Sequence, residues 1–174
     1  ADLIEYRSHN EKLVEQVARR KVQTAYGELE LVTYLDKTTQ RTHLALVKGN
    51  IRPDAETLVR VHEPLSVMDF LEQAHYPHST SVHETLLKIS RSPTGVLVLM
   101  HHGETSQDLL ARAASSPDDH HVARWDPRSY GIGAQILRDL NVGKMRLIAT
   151  PRKLPSMTGF GLEVVGYCQA REEQ

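Results

Sequence analysis

A predicted helix from Trp125 to Leu140, "WDPRSYGIGAQILRDL", carries two glycines in its interior. Asp126 is a good N-cap residue and Pro127 suits the first helical position, so the start of this helix is well defined. Gly131 and Gly133 each cost roughly 0.8–1 kcal/mol relative to alanine in a helix interior. We therefore expect a backbone or a ligand to approach the helix closely there. Apolar residues at helical spacing predict one buried face, formed by Ile132, Ile136, Leu137 and Leu140.

The composition limits the class of protein. With 174 residues, of which 40% are hydrophobic, the chain fits one domain with a buried core. Lys and Arg number 21 against 22 Asp and Glu, so the net charge of −1 points to neither nucleic acid nor a membrane as a partner. The only cysteine, Cys168, excludes an internal disulfide and a cysteine-rich zinc site within this chain. A reducing, cytoplasmic location is expected.

The amino end is charged and helix-prone. It differs from a signal peptide, and no apolar run in the chain approaches the roughly 18 residues of a membrane span. Residues 2–20 are predicted to form a linker helix. The chain starts at Ala1 without a methionine, and we expect its first residues to be a remnant of something upstream.

Strand-like and helix-like segments follow one another in mixed order after this linker. A polar loop at 36–40 joins two predicted strands as a hairpin. Mixed order is typical of a layered α/β or α+β domain whose sheet is partly antiparallel and flanked by helices. The predicted strands span 26–35, 41–49, 57–64, 94–100, 144–150 and 162–167, and the predicted helices span 81–90, 105–116 and 125–140.

The stretch "DPRSYGIGAQILRDLNVGKMRLIATPRK" resembles the carboxy-terminal part of GTP cyclohydrolase II, the enzyme that opens riboflavin synthesis from GTP. "TLVRVH", "YGELEL" and "HLALVKG" add weaker support. The resemblance implies a GTP cyclohydrolase II-like domain over residues 20–174. Upstream, "ADLIEYR" is similar to the joint of bifunctional proteins in which 3,4-dihydroxy-2-butanone 4-phosphate synthase precedes a cyclohydrolase domain. We therefore expect residues 1–19 to be a linker helix from an upstream synthase domain, and the whole protein to be a homodimer.

The resemblance also implies roles for four residues. The family's general acid/base Asp corresponds to Asp126, and the Arg acting at the α-phosphate of GTP corresponds to Arg128. The dipole and free N–H groups of a helix start favour phosphate at this position. Arg60 in "RVH" and Lys153 in "PRK" are candidates for substrate binding as charge-assisted donors. The alternative is that Asp126 only caps the helix and that the three basic residues are solvated surface groups.

The zinc ligands of the family are replaced. The family binds catalytic zinc through three cysteines, one shortly after Arg-Val-His and two in a Cys-x-Cys pair. A gap-free comparison places these positions on Leu65, Tyr76 and His78, so no metal cofactor is expected in this domain. A substitute site of His75, His78 and His83 is disfavoured, because the first two fall in a loop and the third on a predicted helix. These histidines are interpreted as surface groups, as are His101, His102, His120 and His121.

Three functions remain open. By the same resemblance, the segment 100–124 is shorter than its counterpart in the family and lacks the Gln-Glu-Gly-Arg run and the catalytic tyrosine, which disfavours recognition of a triphosphate. The first function is a silent cyclohydrolase-like domain that assembles or regulates the synthase, and the missing cysteines favour it. The second is an active GTP cyclohydrolase II that releases formate and pyrophosphate. The third is a sensor that binds a nucleotide or a flavin-pathway ligand weakly through phosphate.

Overall fold

Seven strands form one mixed sheet in the computed structural model, which describes residues 11–63, 66–70, 81–114, 127–149 and 160–168. In chain order, β1 to β7 are Val14–Thr24, Gly27–Asp36, Thr42–Lys48, Glu56–His62, Gly95–Leu99, Lys144–Ile148 and Glu163–Cys168. The sheet order is β1-β2-β3-β5-β4-β6-β7. The neighbours from β1 to β5 in this order pair antiparallel, whereas β5, β4, β6 and β7 run parallel to one another.

Within the described ranges, three helices flank this sheet, which confirms the predicted α/β class. They are α1 (Val82–Ser90), α2 (Ser106–Ala114) and α3 (Pro127–Asp139), and a short 3₁₀ helix spans Val67–Phe70. Alternation along β5 separates two cores: Val96 and Val98 belong to the cluster that contains α3, and Leu97 and Leu99 to the cluster that contains α1. Helices α1 and α3 therefore cover opposite faces. In the described part of the chain, no helix is both long and apolar enough to cross a membrane.

The linker helix predicted over residues 2–20 is wrong where the structure describes it. Residues from Val14 onward form β1, which pairs antiparallel with β2, and residues 1–10 lie outside the described ranges. The charged residues that suggested a solvated helix belong to an edge strand of the sheet, where side chains face water. Arg19 and Lys21 form cross-strand ion pairs with Glu30 and Glu28. Strand pairing has overridden the local helix propensity.

The close neighbour of Gly133 is a side chain of the sheet. A Cβ atom built on Gly133 would lie 3.5 Å from Cγ1 of Val61, which is an ordinary van der Waals contact. A methyl group therefore fits at Gly133 beside the sheet. The neighbour of Gly133 is a core side chain at ordinary distance, not the closely approaching backbone or ligand that the sequence predicted.

Candidate active site

The carboxyl ends of β4 and β5 bring two polar side chains together beside the start of α3. Because the strands are parallel, the residues that follow them, Glu63 and His102, are adjacent, with Oε1 2.7 Å from Nε2. Ser129, in the first turn of α3, places its Oγ 3.5 Å from the same Nε2. Ligand sites in α/β proteins favour this edge of the sheet. Catalytic or binding residues of this domain are therefore expected at this edge.

The tautomer of His102 follows from its neighbours. Nη1 of Arg41 lies 3.1 Å from Nδ1 of His102, and a guanidinium can only donate. Nδ1 must therefore accept, which leaves the proton on Nε2, where it is donated to Glu63. Since Ser129 faces that same protonated nitrogen, His102 cannot withdraw a proton from the serine hydroxyl. The cluster does not have the geometry of a Ser-His-acid nucleophile, in which the acid and the serine bind opposite ring nitrogens.

His43 is a neutral structural histidine behind this cluster. It is 1% exposed on β3, and its Nδ1 accepts a hydrogen bond of 3.0 Å from the backbone N–H of His101. Burial, reinforced by the neighbouring His102, lowers the pKa of His43 to about 4. His43 thus ties β3 to the end of β5. The surface interpretation is wrong for His102, whose side chain is 24% exposed and held in the network.

A small polar pocket opens beside these histidines. Asp36 lies in its wall, but one of its carboxylate oxygens accepts hydrogen bonds from Thr38 and from the backbone N–H of Thr39. Burial raises the pKa of Asp36, and these hydrogen bonds outweigh it, so the pKa lies below its ordinary value. Asp36 therefore holds the hairpin turn as a carboxylate. The pocket is lined by Asp36, Thr39, Arg41, His43, Met100, His102, Ser129 and Ile132.

Arg60 lies apart from this cluster. It alternates along β4 with Val59 and Val61, which pack in the core cluster that contains α3, so its side chain is on the opposite face of the sheet. The residue is 8% exposed, and its Nη1 donates to the carbonyl of Ile148 at 3.1 Å. The interpretation of Arg60 as a solvated surface group is therefore wrong. Its role in substrate binding stays a prediction.

The other predicted site residues are described only in part. Arg128 is the second residue of α3, which confirms that the Gly-rich motif opens a helix, but its side chain lies outside the described part. Asp126 and Lys153 also lie outside the described residues. Ser129 shows that the first turn of α3 faces the carboxyl edge of β4 and β5. The catalytic and binding roles of these residues stay predictions.

A buried ion network follows β4 on the Arg60 face. Oδ2 of Asp69, in the 3₁₀ helix, lies 3.1 Å from Nε2 of His62 and accepts the backbone N–H of Ser66 at 2.7 Å. Oδ1 of the same carboxylate accepts from Nη2 of Arg112 on α2 at 2.9 Å. The Asp69 side chain is 4% exposed. These contacts fasten the chain just after β4 to the sheet and to α2, and sequence reasoning missed them.

The predicted metal positions lie mostly outside the described residues. Leu65, Tyr76, His78 and His75 are among the undescribed ones, whereas His83 lies on α1 and bonds through Nδ1 to the hydroxyl of Tyr26. Within the described ranges, no three His, Cys, Asp or Glu side chains converge in a group that could hold a metal ion. The expectation that this domain has no metal cofactor stays a prediction.

A family model described as GTP cyclohydrolase II matches residues 15–169. The chain belongs to the GTP cyclohydrolase II family. The matched region begins within β1, so the GTP cyclohydrolase II domain includes the strand that the sequence suggested as part of a linker.

Relatives of this GTP cyclohydrolase II domain are about twice its length. A protein of Neisseria meningitidis serogroup B named 3,4-dihydroxy-2-butanone 4-phosphate synthase is 49% identical over 172 residues, covering 99% of this chain and 47% of that protein. Riboflavin biosynthesis protein RibBA of Aquifex aeolicus is 36% identical over 178 residues, covering 95% of this chain and 44% of that protein. The crystal structure of RibBX, a two domain 3,4-dihydroxy-2-butanone 4-phosphate synthase from A. baumannii, matches with a TM-score of 0.66 and 33% identity, covering 98% of this chain and 44% of that one.

Proposed function

We propose that this chain is a catalytically silent GTP cyclohydrolase II-like domain of a riboflavin-biosynthesis protein. Its role is to assemble or regulate a 3,4-dihydroxy-2-butanone 4-phosphate synthase domain in the same protein. The observation that carries the proposal is that the sequence has one cysteine, Cys168, and that the gap-free comparison assigns the three zinc positions to Leu65, Tyr76 and His78. Leucine has no ligand atom, and a single histidine cannot hold zinc in a site that normally needs three protein ligands.

Loss of the metal removes the chemistry of the family at its first step. Zinc activates water by lowering its pKa, and the described cluster offers no substitute, because His102 already carries its proton on the nitrogen that faces Ser129. The network of Asp69, His62 and Arg112 supports the same proposal. It fastens the chain after β4 through side chains, where the family has its zinc segment.

The names of the relatives support the regulatory part of the proposal. Relatives that this chain matches over 47% of their length are named as the synthase, and one solved relative is described as having two domains. A domain without chemistry of its own is retained if it stabilises the neighbouring domain or determines the oligomeric state of the protein. We propose that the whole protein is a homodimer and is cytoplasmic. The synthase active site would then lie upstream.

The experiment compares the whole protein with a version truncated so that this domain is absent. We expect truncation to lower the synthase turnover, the melting temperature or the oligomeric state, measured by product formation, calorimetry and light scattering. Unchanged values for all three would contradict the assembly role. Formate released from GTP by the whole protein would instead favour an active GTP cyclohydrolase II.

A weak phosphate site is the second candidate. The first turn of α3 faces a polar pocket lined by Arg41, His102 and Ser129. The positive end of a helix dipole favours an anion at such a position. With Asp126 and Arg128 retained in the sequence, and Lys153 as a further donor, a nucleotide or a flavin-pathway phosphate binds this site without turnover. Arg60, on the opposite face of the sheet, is not part of it. A melting-temperature shift with such ligands tests this role.

A further inference from the structure

One glutamine side chain pairs with the backbone that enters the domain. Oε1 of Gln135, in the middle of α3, accepts the N–H of Leu13 at 2.7 Å, and its Nε2 donates to the carbonyl of Glu11 at 2.7 Å. In a parallel sheet, one residue accepts the N–H that follows its partner residue and donates to the carbonyl that precedes it. The side chain of Gln135 makes these two hydrogen bonds around residue 12. The amide of Gln135 therefore acts on the entering chain as a strand would.

The same segment is held from its other side. The N–H of Lys37, after β2, donates to the carbonyl of Leu13 at 2.9 Å. Leu13 and Val14 are 5% and 1% exposed and belong to the core that α3 covers. Nζ of Lys12 lies 3.5 Å from Asp139 at the end of α3. Backbone, apolar and charged contacts thus fix one extended path for residues 11–14.

Helix α3 is itself fixed at both ends. Tyr34, which is fully buried on β2, donates from its hydroxyl to Oδ2 of Asp139 at 2.6 Å, and Ser129 lies against His102 in the first turn. Gln135 is six residues after Ser129, or roughly 9 Å along the helix axis. The entering chain and the carboxyl-edge cluster are therefore attached to one rigid element.

We propose that Gln135 is a docking residue for the chain that precedes the domain. Through its paired hydrogen bonds it sets the direction in which the residues before Glu11 leave, and so the position of an upstream domain relative to α3. The occupant of this surface is the extended backbone of the chain itself. The consequence for an upstream synthase rests on the proposed function, whereas the pairing of Gln135 with residues 11–13 does not.

Hydrogen exchange tests the pairing directly. Gln135→Met keeps the length of the side chain and removes both hydrogen bonds, while Gln135→Glu keeps an acceptor for Leu13 and loses the donor to Glu11. We expect the Leu13 amide to exchange faster in Gln135→Met, by a factor on the order of ten, and to be less affected in Gln135→Glu. The central-strand amide of Leu97 reports global stability. A Leu13 amide that is unprotected in the natural protein, or that changes only as much as Leu97, overturns the proposal.

The consequence for the upstream domain is tested in the whole protein. Distances between one spin label on each domain should spread over a wider range in Gln135→Met than in the natural protein. Gln107→Met, an exposed glutamine on α2, is the matched control and should leave the distribution unchanged. If the distribution stays the same while the Leu13 amide is deprotected, Gln135 does not position the upstream domain. That outcome leaves the proposal of catalytic silence intact, because zinc content and formate release measure silence separately.

Discussion

The carboxylate of Asp69 bridges His62 on β4 and Arg112 on α2, at 3.1 Å and 2.9 Å, while its side chain is 4% exposed. Removing one partner from a buried ion network leaves the others uncompensated, which typically costs about 3 kcal/mol or more. We expect Asp69→Asn to lower the free energy of unfolding by about 3 kcal/mol.

The measurement is the urea midpoint, and the matched control is Asp54→Asn. Asp54 also pairs with an arginine, Arg52, but its side chain is 68% exposed, so the pair is screened by water. The control should hardly move the midpoint. Equal effects of the two substitutions would mean that the Asp69 network does not hold the segment after β4.

His43 predicts a loss of stability on mild acidification. Burial lowers its pKa to about 4 from an ordinary 6.5, so the native state binds its proton less readily than the unfolded state. The contribution of neutral His43 to the free energy of unfolding is therefore fully present above pH 6.5 and is lost as the pH falls from 6.5 towards 4. Between pH 7 and pH 5 the loss from this residue should be about 2 kcal/mol.

His43→Asn separates this effect from the other histidines. The side-chain oxygen of asparagine can take the place of Nδ1 as the acceptor for His101, and asparagine does not titrate. The unfolding free energy of the variant should therefore fall less between pH 7 and pH 5 than that of the natural protein. Identical pH profiles would show that His43 is not the group responsible.

Two glycines predict opposite effects of one substitution. Gly133→Ala places a methyl group 3.5 Å from Val61 and gains helix propensity, so stability should be unchanged or rise by up to about 1 kcal/mol. Gly133→Leu should lower it by about 1–3 kcal/mol through overpacking. In Gly143→Ala the added Cβ would lie 2.2 Å from the carbonyl oxygen of Pro53, so it should be destabilising. Denaturant midpoints decide, and a midpoint that Gly133→Leu leaves unchanged or raises contradicts close packing of α3 on β4.

We predict that phosphate binding at the start of α3 depends on Arg128. Millimolar GTP or pyrophosphate should raise the melting temperature if the site survives, since ligand at 100 times its dissociation constant stabilises by about 2.7 kcal/mol. Arg128→Ala should abolish the shift, whereas Arg52→Ala, which removes an exposed surface arginine, should keep it. A shift that persists in Arg128→Ala places the anion elsewhere. No shift with any phosphate ligand favours a purely structural domain.

The fold class could be predicted because it depends on local patterns. Apolar runs and a turn-rich loop marked β2, β3 and β5, and helical spacing marked α3. Strand β1 could not be predicted, because Arg19 and Lys21 suit a solvated helix unless Glu30 and Glu28 are known to lie opposite them.

The site was harder to predict because its contacts join distant parts of the chain. Arg112 and Asp69 are 43 residues apart, and His102 and Glu63 are 39 apart, so no spacing rule connects them. The burial of Arg60 depends on a carbonyl of Ile148, which only the sheet order places within reach. The motif did predict where α3 begins, whereas its position at the carboxyl edge of the sheet became visible only in the structure.

The measurement that tests catalytic silence most directly is the zinc content of the purified chain together with formate release from GTP. Because the gap-free comparison assigns Leu65, Tyr76 and His78 to the three zinc positions, we predict no stoichiometric zinc and no formate above a protein-free control, even after incubation with added zinc. One zinc per chain together with formate release would contradict it, and would show that the chain is an active GTP cyclohydrolase II with a different set of ligands.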